Sequence, residues 1–117
     1  MGQRNVLIID DDVDFAAATA ELLSMFELNV IVAHTGEDGI DLAREYDFEF
    51  ALIDVGLPGC NGSECAIRIL SFEPNIKCLL TTGYSDNTLV EMGVDIARFE
   101  IMRKPINIDQ LSTFLSI

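Results

Sequence analysis

The residues of this chain best suited to chemistry are carboxylates at the ends of apolar runs. Val6-Leu7-Ile8-Ile9 passes directly into Asp10, Asp11 and Asp12, with Asp14 one residue further on. Two carboxylates about 4 Å apart repel by roughly 4 kcal/mol at an effective dielectric near 20. Such a group must therefore face water or meet a cation. A second apolar run, Phe50-Ala51-Leu52-Ile53, ends in Asp54. A third ends in Thr81-Thr82-Gly83, and a fourth is followed by Arg103-Lys104-Pro105. Acids, a hydroxyl, a glycine and a lysine at strand ends could together hold a divalent cation and an anionic substrate.

The elements that must position these residues are legible as alternating patterns. Residues 6–9, 30–33, 50–53 and 78–82 are short apolar runs without alternation, and 99–102 is a weaker one. Runs of this kind suit strands buried on both faces, as in a parallel sheet flanked by helices. Between them lie helical spacings: Phe15, Ala18, Leu22, Leu23 and Phe26; Ile40, Leu42 and Ala43; Ala66, Ile67, Ile69 and Leu70; Leu89, Val90 and Met92, closed by Gly93. Leu111, Phe114 and Leu115 follow Asn107-Ile108-Asp109, which reads as a helix N-cap region. The expected fold is α/β, a (βα)5 three-layer sandwich in one domain over 1–117. In open parallel sheets, ligands bind beyond the carboxyl ends of the strands, where the strand order switches. The second strand end carries the lone His34, read as a solvated loop residue.

Bulk properties narrow the partners. The 117 residues are half hydrophobic and carry a formal net charge of −13. That charge argues against direct nucleic-acid or membrane partners, which require excess Lys and Arg. Cysteines 60, 65 and 78 lack metal-binding spacing and read as reduced thiols. With no leader-like or membrane-spanning stretch, the chain is expected to be cytoplasmic.

Three readings compete for the acidic cluster. In a calcium loop, Asp10, Asp12, Asp14 and Glu21 would stand at ligand positions, but Phe15 occupies the place where the sharp turn needs glycine. Asp10-x-Asp12 resembles the start of the haloacid-dehalogenase phosphatase motif, but Asp14 departs from it and the chain is too short for that fold's remaining parts. A small hard cation held with Asp54 explains more. Mg2+ takes few protein oxygens and readily shares a phosphate oxygen. Asp12 and Asp14 are expected at the surface and the helix start.

From end to end the chain resembles response-regulator receiver domains. Leu7-Ile8-Ile9-Asp10-Asp11-Asp12 is similar to their acidic pair after the first strand, and residues 51–62 to their acceptor motif. Leu79-Leu80-Thr81-Thr82-Gly83 and Ile101-Met102-Arg103-Lys104-Pro105 are similar to their Thr and Lys-Pro motifs. The resemblance implies a flavodoxin-like sheet in the order 2-1-3-4-5, with Asp54 as phosphoacceptor for a histidine kinase or histidine phosphotransfer protein. It implies Mg2+ held by Asp10, Asp11, Asp54 and the Gly56 carbonyl. Thr82, Lys104 and the amides of Gly56 and Gly83 would face the phosphoryl oxygens, and Lys104-Pro105 would be cis. Such a domain signals to an output partner and has no turnover beyond its own phosphorylation and dephosphorylation. The other functional class is a pseudo-receiver that only binds partners. Ile101 stands where many members carry a mobile Tyr or Phe, Asn61-Gly62 replaces the commoner Asp-Gly, and Tyr84 is placed to cover the phosphoryl group.

Overall fold

The computed structural model describes residues 4–117. Five strands alternate with five helices along the described residues: β1 Arg4–Ile9, α1 Val13–Ser24, β2 Leu28–Ala33, α2 Gly36–Glu45, β3 Phe50–Asp54, α3 Gly62–Phe72, β4 Lys77–Thr82, α4 Asp86–Glu91, β5 Glu100–Arg103 and α5 Ile108–Leu115. All neighbouring strands pair in parallel, in the order β2-β1-β3-β4-β5. The flavodoxin-like (βα)5 expectation therefore holds.

Alternation within the buried strands sends side chains to two cores. Leu7, Ile9, Ala51, Ile53 and Leu80 pack with Ile40 and Ala43 of α2, Ala66 and Ile69 of α3, and Leu89 of α4. Val6, Ile8, Phe50, Leu52, Leu79 and Met102 pack with Ala16 and Leu23 of α1 and with Leu111 and Leu115 of α5. The connections after β1 and β3 therefore leave the sheet toward opposite faces. The crevice between them holds the acidic residues.

Helix starts follow the side-chain chemistry. Asp12 caps α1 by accepting from the Phe15 amide at 3.1 Å. Thr35, Asn61, Ser85 and Asn107 cap the other helices in the same way. Gly93 follows α4 with φ +85°, a conformation glycine adopts at no steric cost. Gly62 is required for a different reason. A Cβ there would run into the backbone carbonyl of Asp54, so glycine lets α3 start against the strand that carries the site.

Several helix faces differ from expectation. The buried stripe of α1 is Ala16, Thr19 and Leu23; Ala18 is exposed, and Phe26 lies beyond the helix end and is also exposed. Thr19 takes an apolar position because its hydroxyl donates to the Phe15 carbonyl at 2.9 Å, satisfying it within the helix. Ile67 and Val90 face solvent. β5 begins one residue later than the apolar run, yet Phe99 and Ile101 do share a face, both against the core on the α2–α4 side.

Candidate functional site

The strand ends bring four of the expected residues together. Asp10 immediately follows β1 and Asp54 closes β3; they are 1 % and 8 % exposed. Asp11 is exposed beside them. One carboxylate oxygen from each of Asp10, Asp11 and Asp54 lies within 4.8 Å of the others. Lys104, just past β5, places Nζ 2.9 Å from Asp10 Oδ2 and 3.3 Å from Asp54 Oδ1. The Lys104–Pro105 peptide bond is cis, as the resemblance implies.

Asp10 is anchored on several sides. Its Oδ1 accepts from the Asp12 amide at 2.9 Å and its Oδ2 from Lys104. Its carbonyl accepts from His34, whose Nδ1 lies 3.0 Å away and must carry the proton there. His34 is exposed, as expected, but it also braces the acidic turn, a contact that a lone loop histidine does not announce. Asp12 is the helix cap and Asp14 faces solvent, so they do not converge with Asp10, and Glu21 is exposed on α1. The calcium-loop arrangement is thereby excluded.

Thr82 ends β4 and is buried. Its Oγ1 accepts from the Tyr84 amide at 2.9 Å, and its carbonyl accepts from the Lys104 amide at 2.8 Å. The threonine therefore ties the loop after β4 to the backbone of the lysine. Gly56 and Gly83 are exposed on the loops after β3 and β4. The Tyr84 ring lies against Gly56: a Cβ built there would be 3.6 Å from the ring and 3.7 Å from Asp54 Oδ2. Arg103 forms an exposed ion pair with Asp86 at the start of α4, a link the sequence pattern did not indicate.

Electrostatics set these groups apart. Burial, and then the charge of Asp10, push the Asp54 carboxyl above its ordinary value; Lys104 pulls it back only in part, and Asp11 adds to the rise. For Lys104, burial acts downward, but the hydrogen bond to Asp10 and the charges of Asp54 and Asp10 outweigh it. The ammonium is therefore held above its ordinary value. The thiols are unlike this site: burial pushes Cys65 up to about 12 and Cys78 to about 11, and all three cysteines are free.

The donor set fits a small hard divalent cation, because three carboxylates converge with oxygen ligands only. Asp10 already spends both oxygens on the Asp12 amide and Lys104, which leaves Asp11 and Asp54 as the less committed carboxylates. Among the described residues, no helix is long and apolar enough to cross a membrane.

Comparison with known proteins agrees with this fold. The response regulator receiver domain family matches residues 6–116. A cyclic di-GMP phosphodiesterase from Thermotoga maritima is 33 % identical over 106 residues, covering 91 % of this chain but only 28 % of that protein. A CheY-like receiver domain protein from Methanospirillum hungatei superimposes with a TM-score of 0.83 at 25 % identity, covering 98 % of this chain and 92 % of the other. A response regulator protein from Burkholderia pseudomallei, solved with a phosphorylated aspartic acid, a calcium ion and citrate, superimposes with a TM-score of 0.82 at 29 % identity, covering 97 % and 66 %. The chain spans between about a quarter and a half of the curated relatives it matches. With the family matched over residues 6–116 and the strand order in agreement, the chain belongs to the response regulator receiver domain family.

Proposed function

We propose that residues 1–117 form one receiver domain that accepts a phosphoryl group on Asp54 from a histidine kinase or histidine phosphotransfer protein in a Mg2+-dependent reaction. The observation that carries this reading is the convergence of Asp54 with Asp10, Asp11 and Lys104 at the carboxyl end of the sheet. The similar Burkholderia pseudomallei protein, with its phosphorylated aspartic acid and calcium ion, supports it. An Asp54 carboxylate oxygen attacks phosphorus, and the donor leaves with its electron pair, giving an acyl phosphate. Asp11, Asp54 and the Gly56 carbonyl would hold the metal, with Asp10 behind them. Bound Mg2+ supplies neutralisation of charge on the phosphoryl oxygens. Lys104 brings a second cation to Asp54, its Nζ 3.3 Å from Oδ1. The Thr82 hydroxyl and the amides of Gly56 and Gly83 donate to the remaining oxygens.

The domain has no turnover beyond its own phosphorylation and dephosphorylation, and it works in the cytoplasm through an output partner. Mass spectrometry after exposure to a small-molecule phosphodonor tests the reading. One phosphoryl mass should be gained with Mg2+ and far less without it; equal labelling with the metal chelated would refute the metal-dependent reaction.

Tyr84 lies against Gly56 on the loop after Asp54, where its ring would limit access of water to an acyl phosphate. Tyr84→Ala should shorten the phosphoryl lifetime by about two- to fivefold, a shift in barrier of less than about 1 kcal/mol. The decay of the phosphorylated mass after donor removal measures it. An unchanged lifetime would show the ring to be a bystander.

Ile101 replaces the aromatic residue that many members move on activation. It is half-buried against the core, its β-branch restricts χ1, and its carbonyl accepts from Gln110 Nε2 at 3.1 Å. Phosphorylation should draw Thr82 toward Asp54 while β5 shifts little, giving a partner less to discriminate there and more in the loop after Thr82. Amide shifts with and without a phosphoryl mimic report this. A large rotamer change at Ile101, with shifts along β5, would make isoleucine the switch.

A further inference from the structure

We propose that Phe15 is a positioning residue for Lys104, its ring forming the wall that keeps the ammonium aimed at Asp54. The inference rests on the reading of Asp54 as phosphoacceptor. Lys104 Nζ lies 4.2 Å from the centroid of the Phe15 ring, while 2.9 Å from Asp10 Oδ2 and 3.3 Å from Asp54 Oδ1. The ammonium is thus bracketed by two carboxylates and one aromatic face, and the lysine side chain is only 23 % exposed. A cation held over a ring face is attracted by the ring quadrupole, more strongly where water is excluded.

The ring's position is fixed by the same acidic turn that it serves. Asp10 accepts from the Asp12 amide, Asp12 accepts from the Phe15 amide, and the Phe15 carbonyl accepts from Thr19. The half-buried Phe15 is therefore carried at the start of α1 in fixed register with Asp10. The consequence concerns the loaded site. A divalent cation held among the carboxylates would weaken the hold of Asp10 on Lys104, and a long flexible side chain would then be free to turn to solvent. The ring attracts the charge without competing for it as a carboxylate does, so the ammonium stays beside Asp54. Leucine would fill much of the same volume but has no quadrupole.

The test compares wild type, Phe15→Leu and Phe15→Tyr, each first shown to be folded by its urea midpoint. Labelling uses acetyl phosphate with Mg2+, followed by mass spectrometry. A small donor is chosen because it needs no protein docking on α1. Phe15→Leu should lower the labelling rate constant by about three- to tenfold, as expected for loss of one partly desolvated cation–π contact. Phe15→Tyr should remain within about twofold of wild type, since it keeps the ring face. A second readout is independent of labelling: the Lys104 ε-methylene protons should show an upfield ring-current shift in wild type and Phe15→Tyr that disappears in Phe15→Leu. A folded Phe15→Leu that labels as fast as wild type would overturn the proposal. So would a folded Phe15→Tyr as slow as Phe15→Leu, a wild type without the ring-current shift, or a defect seen only with a protein phosphodonor. A wild type that gains no phosphoryl mass would instead sink the acceptor reading, and this proposal with it.

Discussion

Asp54→Asn should gain no phosphoryl mass under conditions in which wild type gains one. The substitution keeps the size and one hydrogen-bond acceptor of the side chain but removes the carboxylate proposed as nucleophile. Among the described residues, no other acid of the cluster pairs low exposure with a free carboxylate oxygen beside Lys104. Asp10 is 1 % exposed, with one oxygen on the Asp12 amide and the other on Lys104. Asp11 is exposed, and the Lys104 contacts go to Asp10 and Asp54. Asp12 is committed to the helix cap. Peptide mapping of the labelled wild type should place the base-labile acyl phosphate on Asp54 alone. Labelling of Asp54→Asn at the wild-type rate would refute the assignment, and slow labelling that maps to Asp11 would show that the cluster accepts at more than one position.

The sequence made the strand ends readable because each buried strand is a continuous apolar run that stops at a polar residue. Asp10, Asp54, Thr82 and Lys104 stand at such stops, and the parallel sheet carries them to one edge. The order 2-1-3-4-5 was implied by resemblance, because short apolar runs state that strands are central but not which strands are neighbours. Helix faces were less readable. Thr19 is polar by composition, yet it satisfies its own hydroxyl and so can be buried; Val90 is apolar, yet it lies on the open side of a six-residue helix. The pairing of Lys104 with Asp10 joins residues 94 apart in the chain and depends on how the loop after β5 meets the end of β1. No local pattern encodes that contact, or those of Tyr84 with Gly56 and Phe15 with Lys104.

The same crowding predicts how charge and metal govern stability. Without Mg2+, Asp54→Asn should raise the unfolding free energy near neutral pH by about 1–2 kcal/mol, a discounted fraction of the bare Coulomb repulsion. Burial and the charge of Asp10 hold the folded-state carboxyl above its ordinary value of 3.8, with Lys104 compensating only in part. The folded chain therefore binds this proton more tightly than the unfolded chain does. The stabilising contribution of Asp54 is fully present below 3.8 and lost as pH rises through the higher folded value, so its ionised form costs stability at neutral pH. Asparagine has no such charge, and the variant should lack this part of the pH dependence. Lys104, held above 10.5 in the folded chain, contributes stability below 10.5 that is lost as pH rises through its folded value. That alkaline loss should persist in Asp54→Asn but shrink, because one of the lysine's two carboxylate partners is gone. Mg2+ at 100 times its dissociation constant should stabilise wild type by about 2.7 kcal/mol, and the variant by much less. Asp11→Asn should shift stability in the same direction by a smaller amount, since Asp11 is exposed. Asp10→Asn is the informative contrast. Its carboxylate already accepts from a backbone amide and from Lys104, so neutralising it removes favourable partners along with repulsion and should bring no gain. Urea midpoints at fixed ionic strength, with and without Mg2+, separate these cases. Midpoints that fall in both Asp54→Asn and Asp11→Asn without metal would mean that Lys104 alone compensates the cluster, and that the free site carries no strain for a cation to relieve.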